Sequence, residues 1–82
     1  GEPYPGRFLT EGDRGDSVFI IQGYLNTIGR NVPEIPEIAV DGIFGPRTKE
    51  AVLAFQRYLN IEETGAIGPV EWAEIITLGN NL

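Results

Sequence analysis

A Gly-x-x-Gly unit stands at three places in this chain, as Gly12-Asp13-Arg14-Gly15, Gly42-Ile43-Phe44-Gly45 and Gly65-Ala66-Ile67-Gly68. Each precedes a stretch whose apolar residues recur at i, i+3, i+4 and i+7, the spacing of an amphipathic helix. Glycine supplies the backbone freedom of a tight turn, so a chain punctuated this way is confined to short helices joined by sharp corners. The second and third units both run on into proline, as Gly45-Pro46 and Gly68-Pro69. That match predicts two corners of similar build around one core and an internal pseudo-repeat.

The first helix is expected from Asp16, with Val18, Ile21, Gln22, Leu25 and Ile28 on one face, Asp16 or Ser17 as N-cap and Gly29 as its stop. Residues 30–40 carry Pro33 and Pro36, which exclude a helix and predict an extended connection. The second helix is expected from Pro46, whose fixed φ suits a first helical position, with Ala51, Val52, Phe55, Gln56 and Leu59 inward. The third starts at Pro69, turns Trp72, Ile75 and Ile76 inward and ends near Gly79. Its Glu71 and Glu74 suit the positive end of the helix dipole. The fold class is all-α, a compact three-helix bundle. Residues 1–8, with Pro3, Pro5 and Gly6, read as a linker or leading arm in which Phe8, with the adjoining Leu9, pins to the core. Residues 9–79 read as the domain and 80–82 as a tail.

The chain has 82 residues, enough for one domain, and contains neither cysteine nor histidine. Disulfides, thiolate metal sites and the commonest general base are thereby removed. No metal or cofactor is expected. Twelve acidic against six basic residues give a net charge of −6, which opposes nucleic acid and anionic membrane surfaces and favours a neutral or zwitterionic ligand. No apolar run approaches the roughly 20 residues a bilayer requires. The start lacks the features of a signal peptide, as expected of a fragment cut from a longer secreted chain.

The run Val40-Asp41-Gly42-Ile43-Phe44-Gly45-Pro46-Arg47-Thr48, followed by Ala51-Val52 and Phe55-Gln56, resembles the signature of the peptidoglycan-binding domain family. Gly12, Gly15, Val18, Ile21, Gln22, Leu25 and Asn26 before it, and Thr64, Gly65, Gly68, Pro69 and Trp72 after it, fall in that family's order and spacing. The resemblance spans residues 9–78. It implies a small helical, non-catalytic module that holds a larger secreted protein, often a wall hydrolase, against peptidoglycan. Implied partners are peptidoglycan, through glycan strand or stem peptide, and a catalytic domain or sister repeats in the same chain. The implied location is extracellular, at the cell wall or spore. Tyr4-Pro5-Gly6 and the stretch from Tyr24 to Pro36 resemble tandem copies in secreted proteins of spore-forming Gram-positive bacteria. Three features depart from the family: Phe19 and Ile20 replace polar residues, Glu71 replaces threonine before Trp72, and the chain is acidic.

Candidate ligand-binding residues are Asp41, Phe44, Arg47, Thr48, Gln56, Arg57 and Tyr58. Each has a competing structural reading. Asp41 would accept hydrogen bonds from sugar hydroxyls or peptide amides, or close an Asx turn on its own backbone. Phe44 would stack on a sugar, or plug the core beneath its helix. Thr48 would meet ligand or first-turn backbone. Gln56, like Gln22, lies on an apolar face where an unpaired amide costs about 1–3 kcal/mol, so each must find a partner, backbone or groove. Arg47 opposes the dipole of its helix. With Arg57 it would contact stem-peptide carboxylates or remain a solvated charge. Tyr24 and Tyr58 are candidate rings for sugar contact. A second hypothesis takes Phe19, Ile20 and Tyr24 as an apolar surface for protein docking, the chain then serving as an interaction or spacer module. Arg14-Gly15-Asp16 matches the tripeptide read by integrins, but turn and helix start explain it.

Overall fold

Helix α1 (Asp16–Gly29) buries Val18, Ile21, Gln22, Leu25 and Ile28, the stripe that its apolar spacing dictates. Helix α2 (Pro46–Leu59) buries Thr48, Ala51, Val52, Ala54, Phe55 and Gln56. Helix α3 (Pro69–Asn80) buries Trp72, Ile75 and Ile76. These three elements come from a computed structural model, which describes residues 2–82. Helix α1 packs against both α2 and α3, and Leu9, Phe44 and Ile67 from the corners complete the core.

Two helix ends differ from expectation. The N-cap of α1 is Gly15, with no side-chain cap, and Asp16 is the first helical residue rather than the cap. Gly15 adopts φ 133°, and its N–H donates to the Gly42 carbonyl at 2.9 Å. The chain therefore turns at a glycine to pair with the second corner, and the capping position falls one residue early. Helix α3 continues through Gly79 to Asn80. A Cβ on Gly79 would lie 3.3 Å from Tyr24 Cγ, so this glycine serves the close approach of α1 and α3.

The connection after α1 is not helical, and its apolar residues reach the core: Val32, Ile35 and Ile38 are buried. Asn26 fixes it by donating from Nδ2 to the Ile38 carbonyl at 2.7 Å and accepting from the Ile38 N–H at 2.9 Å. Ahead of α1, the chain passes both later corners. Leu9 and Ile67 exchange backbone hydrogen bonds at 3.0 and 2.9 Å, while Gly12 donates to Phe44 and Phe44 to Asp13 at 2.8 and 2.9 Å. Residues 2–8 lie against α3: Trp72 Nε1 donates to the Glu2 carbonyl at 2.9 Å, and Tyr4 meets the Trp72 ring edge-on at 6.0 Å. Leu9 is pinned to the core as expected, whereas Phe8 stays exposed and lies over Gly68.

Candidate functional site

Gln22 organises the corner before α2. Its position on the apolar face of α1 buries the amide, and a buried amide must be satisfied. Nε2 donates to Asp41 Oδ1 at 3.1 Å, to the Ile43 carbonyl at 2.9 Å and to Thr48 Oγ1 at 3.0 Å. Oε1 accepts from the N–H groups of Asp41 and Gly42 at 2.9 and 2.8 Å. One side chain thus holds the turn and the first turn of α2 together. Gln56 repeats the arrangement at the corner before α3. It donates to Thr64 Oγ1, the Ala66 carbonyl and Glu71 Oε2 at 2.9, 3.2 and 3.1 Å, and accepts from the Gly65 N–H at 3.0 Å. Glu71 also reaches back with Oε1 to the Gly68 N–H at 3.0 Å, so the residue that departs from the family pattern closes the start of α3.

Asp41 closes an Asx turn, its Oδ1 accepting from the Ile43 N–H at 2.9 Å. That backbone bond, then the Gln22 amide, hold its carboxyl below the ordinary aspartate value, so it is ionised at neutral pH. Two hollows flank it. One, of about 310 Å³, is lined by Glu37, Ala39, Asp41, Ile43, Pro46 and Arg47 among others. The other, of about 430 Å³, is lined by Arg14, Gly15, Asp16, Phe19, Asp41, Gly42 and Ile43. Asp41 and Ile43 belong to both, and Ile43 is 45% exposed.

The candidate residues fall into three groups. Asp41 and Arg47 meet at one hollow, and Arg47 also lies 3.5 Å from Glu50. Phe44, Thr48 and Gln56 are at most 3% exposed. They build the corners, and Thr48 also borders the hollow that Asp41 and Arg47 line. Arg57 and Tyr58 stand near the other end of α2, about 15 Å along the axis from Arg47 at 1.5 Å per residue. There Arg57 pairs with Glu63 at 2.9 Å while Tyr58 is exposed. The apolar trio also divides. Phe19 is exposed and lines the second hollow, whereas Ile20 and Tyr24 are half-buried against the core, the Tyr24 hydroxyl donating to Asn80 Oδ1 at 3.3 Å. Ile43, Glu37, Arg14 and Asp16 are lining residues that sequence reasoning did not single out as ligand contacts. Only Ile43, an apolar residue inside a Gly-x-x-Gly turn, carried a signal for it. Among the described residues no cluster of metal-ligating side chains occurs, and no helix is long and apolar enough to cross a membrane.

Fold and corner together define a small all-helical binding module. The chain belongs to the peptidoglycan binding domain family, whose model matches residues 14–75. Among curated proteins it is 37% identical over 68 residues to an uncharacterized protein in the bpoA1 3′ region of Kitasatospora aureofaciens, covering 82% of this chain and 53% of that one. The chain thus spans about half the length of that relative. Its fold is similar to the SleB N-terminal domain, with TM-score 0.78, 21% identity, and coverage of 94% of this chain and 99% of that one. It is also similar to a peptidoglycan-binding protein from Clostridioides difficile in complex with glutamine hydroxamate, with TM-score 0.70, 26% identity, and 84% and 40% coverage. A Burkholderia AP3 phage endolysin gives TM-score 0.69, 30% identity, and 84% and 24% coverage.

Proposed function

We propose that this chain is a non-catalytic wall-targeting module that binds peptidoglycan at the corner before α2. Family membership supports cell-wall binding, and the rigid Asp41–Ile43 turn between two open hollows is the observation that supports this location. The module acts outside the cell, holding a larger secreted protein to the wall, with a hydrolase domain or sister repeats in the same chain. The similarity to part of an endolysin and to half of a longer curated relative supports that arrangement. Small hollows imply weak single-site affinity, and tethering to further wall-binding units raises the effective concentration. Docking through Phe19, Ile20 and Tyr24 has less support, because two of those three side chains turn toward the core. The test is sedimentation of a fluorescent-protein fusion with purified peptidoglycan. Enrichment over the fluorescent protein alone is expected, and equal sedimentation refutes the proposal.

A further inference from the structure

The two corners are nearly the same structure, and their differences separate what folding requires from what it does not. Both are held by a buried glutamine, both turn on a left-handed glycine (Gly42 φ 76°, Gly65 φ 77°), and both pass through Gly-Pro into a helix. Where the first has Asp41, the second has Thr64. Its Oγ1 accepts from the Ala66 N–H at 3.2 Å, as Asp41 Oδ1 accepts from the Ile43 N–H at 2.9 Å. Where the first has Arg47, the second has Val70. The corner therefore forms without a charge at either position.

The surroundings differ in the same direction. Side-chain atoms of Lys49 and Leu53 crowd Gly65, and the Phe8 ring covers Gly68. At the first corner Gly42 faces the Gly15 carbonyl and the Phe19 Cβ, and nothing lies within 4 Å of the Cβ position at Gly45. There the two surplus charges line one open hollow, with Glu37 from the connection as a second carboxylate on its wall. Asp41 spends only Oδ1 internally, and among the described residues Oδ2 accepts no hydrogen bond. Arg47 has Glu50 at 3.5 Å, an exposed pair of little energetic weight. A hollow of about 310 Å³ is at the small end for ligand pockets, enough for one or two amino acids. A net charge of −6 repels an anionic ligand but not a zwitterion.

We infer that this corner reads a zwitterionic peptide end, with an ammonium on Asp41 Oδ2, a carboxylate on Arg47 and the carbon chain between them across Ile43. The inference rests on the wall-binding proposal and names the moiety within it: a stem peptide whose diamino acid keeps a free amine, not the glycan strand. An amine consumed in a cross-link has become an uncharged amide, so the module distinguishes open stems from cross-linked ones.

The test is a titration of the isotope-labelled chain, followed by amide shifts, with three soluble probes. These are the tripeptide N-acetyl-L-Ala-γ-D-Glu-L-Lys, its N-terminus blocked as it is in the wall, the same peptide acetylated also on its side-chain amine, and the N-acetylglucosamine–N-acetylmuramic acid disaccharide. The free-amine peptide is expected to shift amides of residues 38–48. Acetylation, Asp41→Asn and Arg47→Gln are each expected to weaken it at least about tenfold, the lower end for loss of a hydrogen bond to a charged group. Asp41→Asn keeps the Oδ1 acceptor and hence the turn, and acetylation is expected to cost that variant nothing further. Equal response to the two peptides, or shifts with the disaccharide alone, overturns the inference and leaves the wall-binding proposal standing. Silence with all three probes also overturns it, and sedimentation with whole peptidoglycan then judges the broader proposal separately.

Discussion

Replacing Gln22 by alanine removes one side chain and strands several groups that meet on it. The Gly42 N–H and the Thr48 hydroxyl are buried, whereas Asp41 and Ile43 are exposed enough for water to replace the lost bonds. A stranded buried polar group costs about 1–3 kcal/mol, so the two give a loss of about 2–6 kcal/mol. A chain of 82 residues has a total stability of only about 4–12 kcal/mol at 0.05–0.15 kcal/mol per residue. The expected fall in melting temperature is about 8–48 °C, at 4–8 °C per kcal/mol for a domain of this size. Urea unfolding at pH 7 measures the free-energy loss and a thermal melt the fall in temperature, and the urea slope should not change, because the surface exposed on unfolding hardly does. Gln22→Glu sharpens the test. The carboxylate keeps an acceptor for the turn amides but loses the donor to Ile43 and Thr48, and it stands beside Asp41. Its folded-state pKa must rise above the ordinary glutamate value, so this variant should regain stability as the pH falls through that raised pKa. A loss below about 1 kcal/mol for Gln22→Ala, less than one stranded buried group, would refute the claim that this amide holds the corner.

Three further outcomes are expected. Asp41 and Asp13 have folded carboxyl pKa values below the ordinary aspartate value, Asp41 through the Ile43 N–H and then Gln22, and Asp13 through the Thr10 N–H and then Arg7. Their contribution is present above that value and lost as the pH falls through the folded pKa values, so the urea midpoint should drop below pH 4 and Asp41→Asn should flatten that drop. Gly42→Ala should cost about 1–2 kcal/mol, because φ is 76° and the new Cβ would lie 3.3 Å from the Gly15 carbonyl oxygen. Gly68→Ala, at φ −99°, should cost less than about 1 kcal/mol, since the new Cβ displaces only an exposed Phe8 ring, as a surface change would; equal losses for the two in urea unfolding would contradict this. Tyr4→Ala should shift Trp72 fluorescence to the red, because Tyr4 and the Glu2 backbone cover that indole; an unchanged emission maximum would mean that the arm does not shield it.

How far the sequence could be read follows from the range of each signal. Helical periodicity is local, so the buried faces of α1 and α3 were legible residue by residue, and that of α2 down to Gln56 except that Leu59 is only half-buried and Ala54 is buried without having been singled out. The N-cap of α1 was not, because Gly15 turns to meet Gly42, twenty-seven residues away (42 − 15), and no local pattern records that pairing. For the same reason the site came through incomplete. Spacing shows that Arg47 and Arg57 share a helix but not that only Arg47 borders the hollow beside Asp41, and it says nothing of Glu37 arriving from the proline-containing connection. A buried amide on an apolar face announces that a partner must exist without naming it. The repeat supplies the name: two glutamines and two Gly-Pro corners, in the order Gln22, corner, Gln56, corner, pair each helix with the start of the next. Once the pairing is known, position-by-position comparison is informative without any homologue. Shared residues, the glutamine, the turn glycine and the Gly-Pro step, answer to the fold. What is not shared, the charge and second oxygen that Asp41 has and Thr64 lacks, and Arg47 against Val70, is free of that duty, so its chemistry can answer to a ligand.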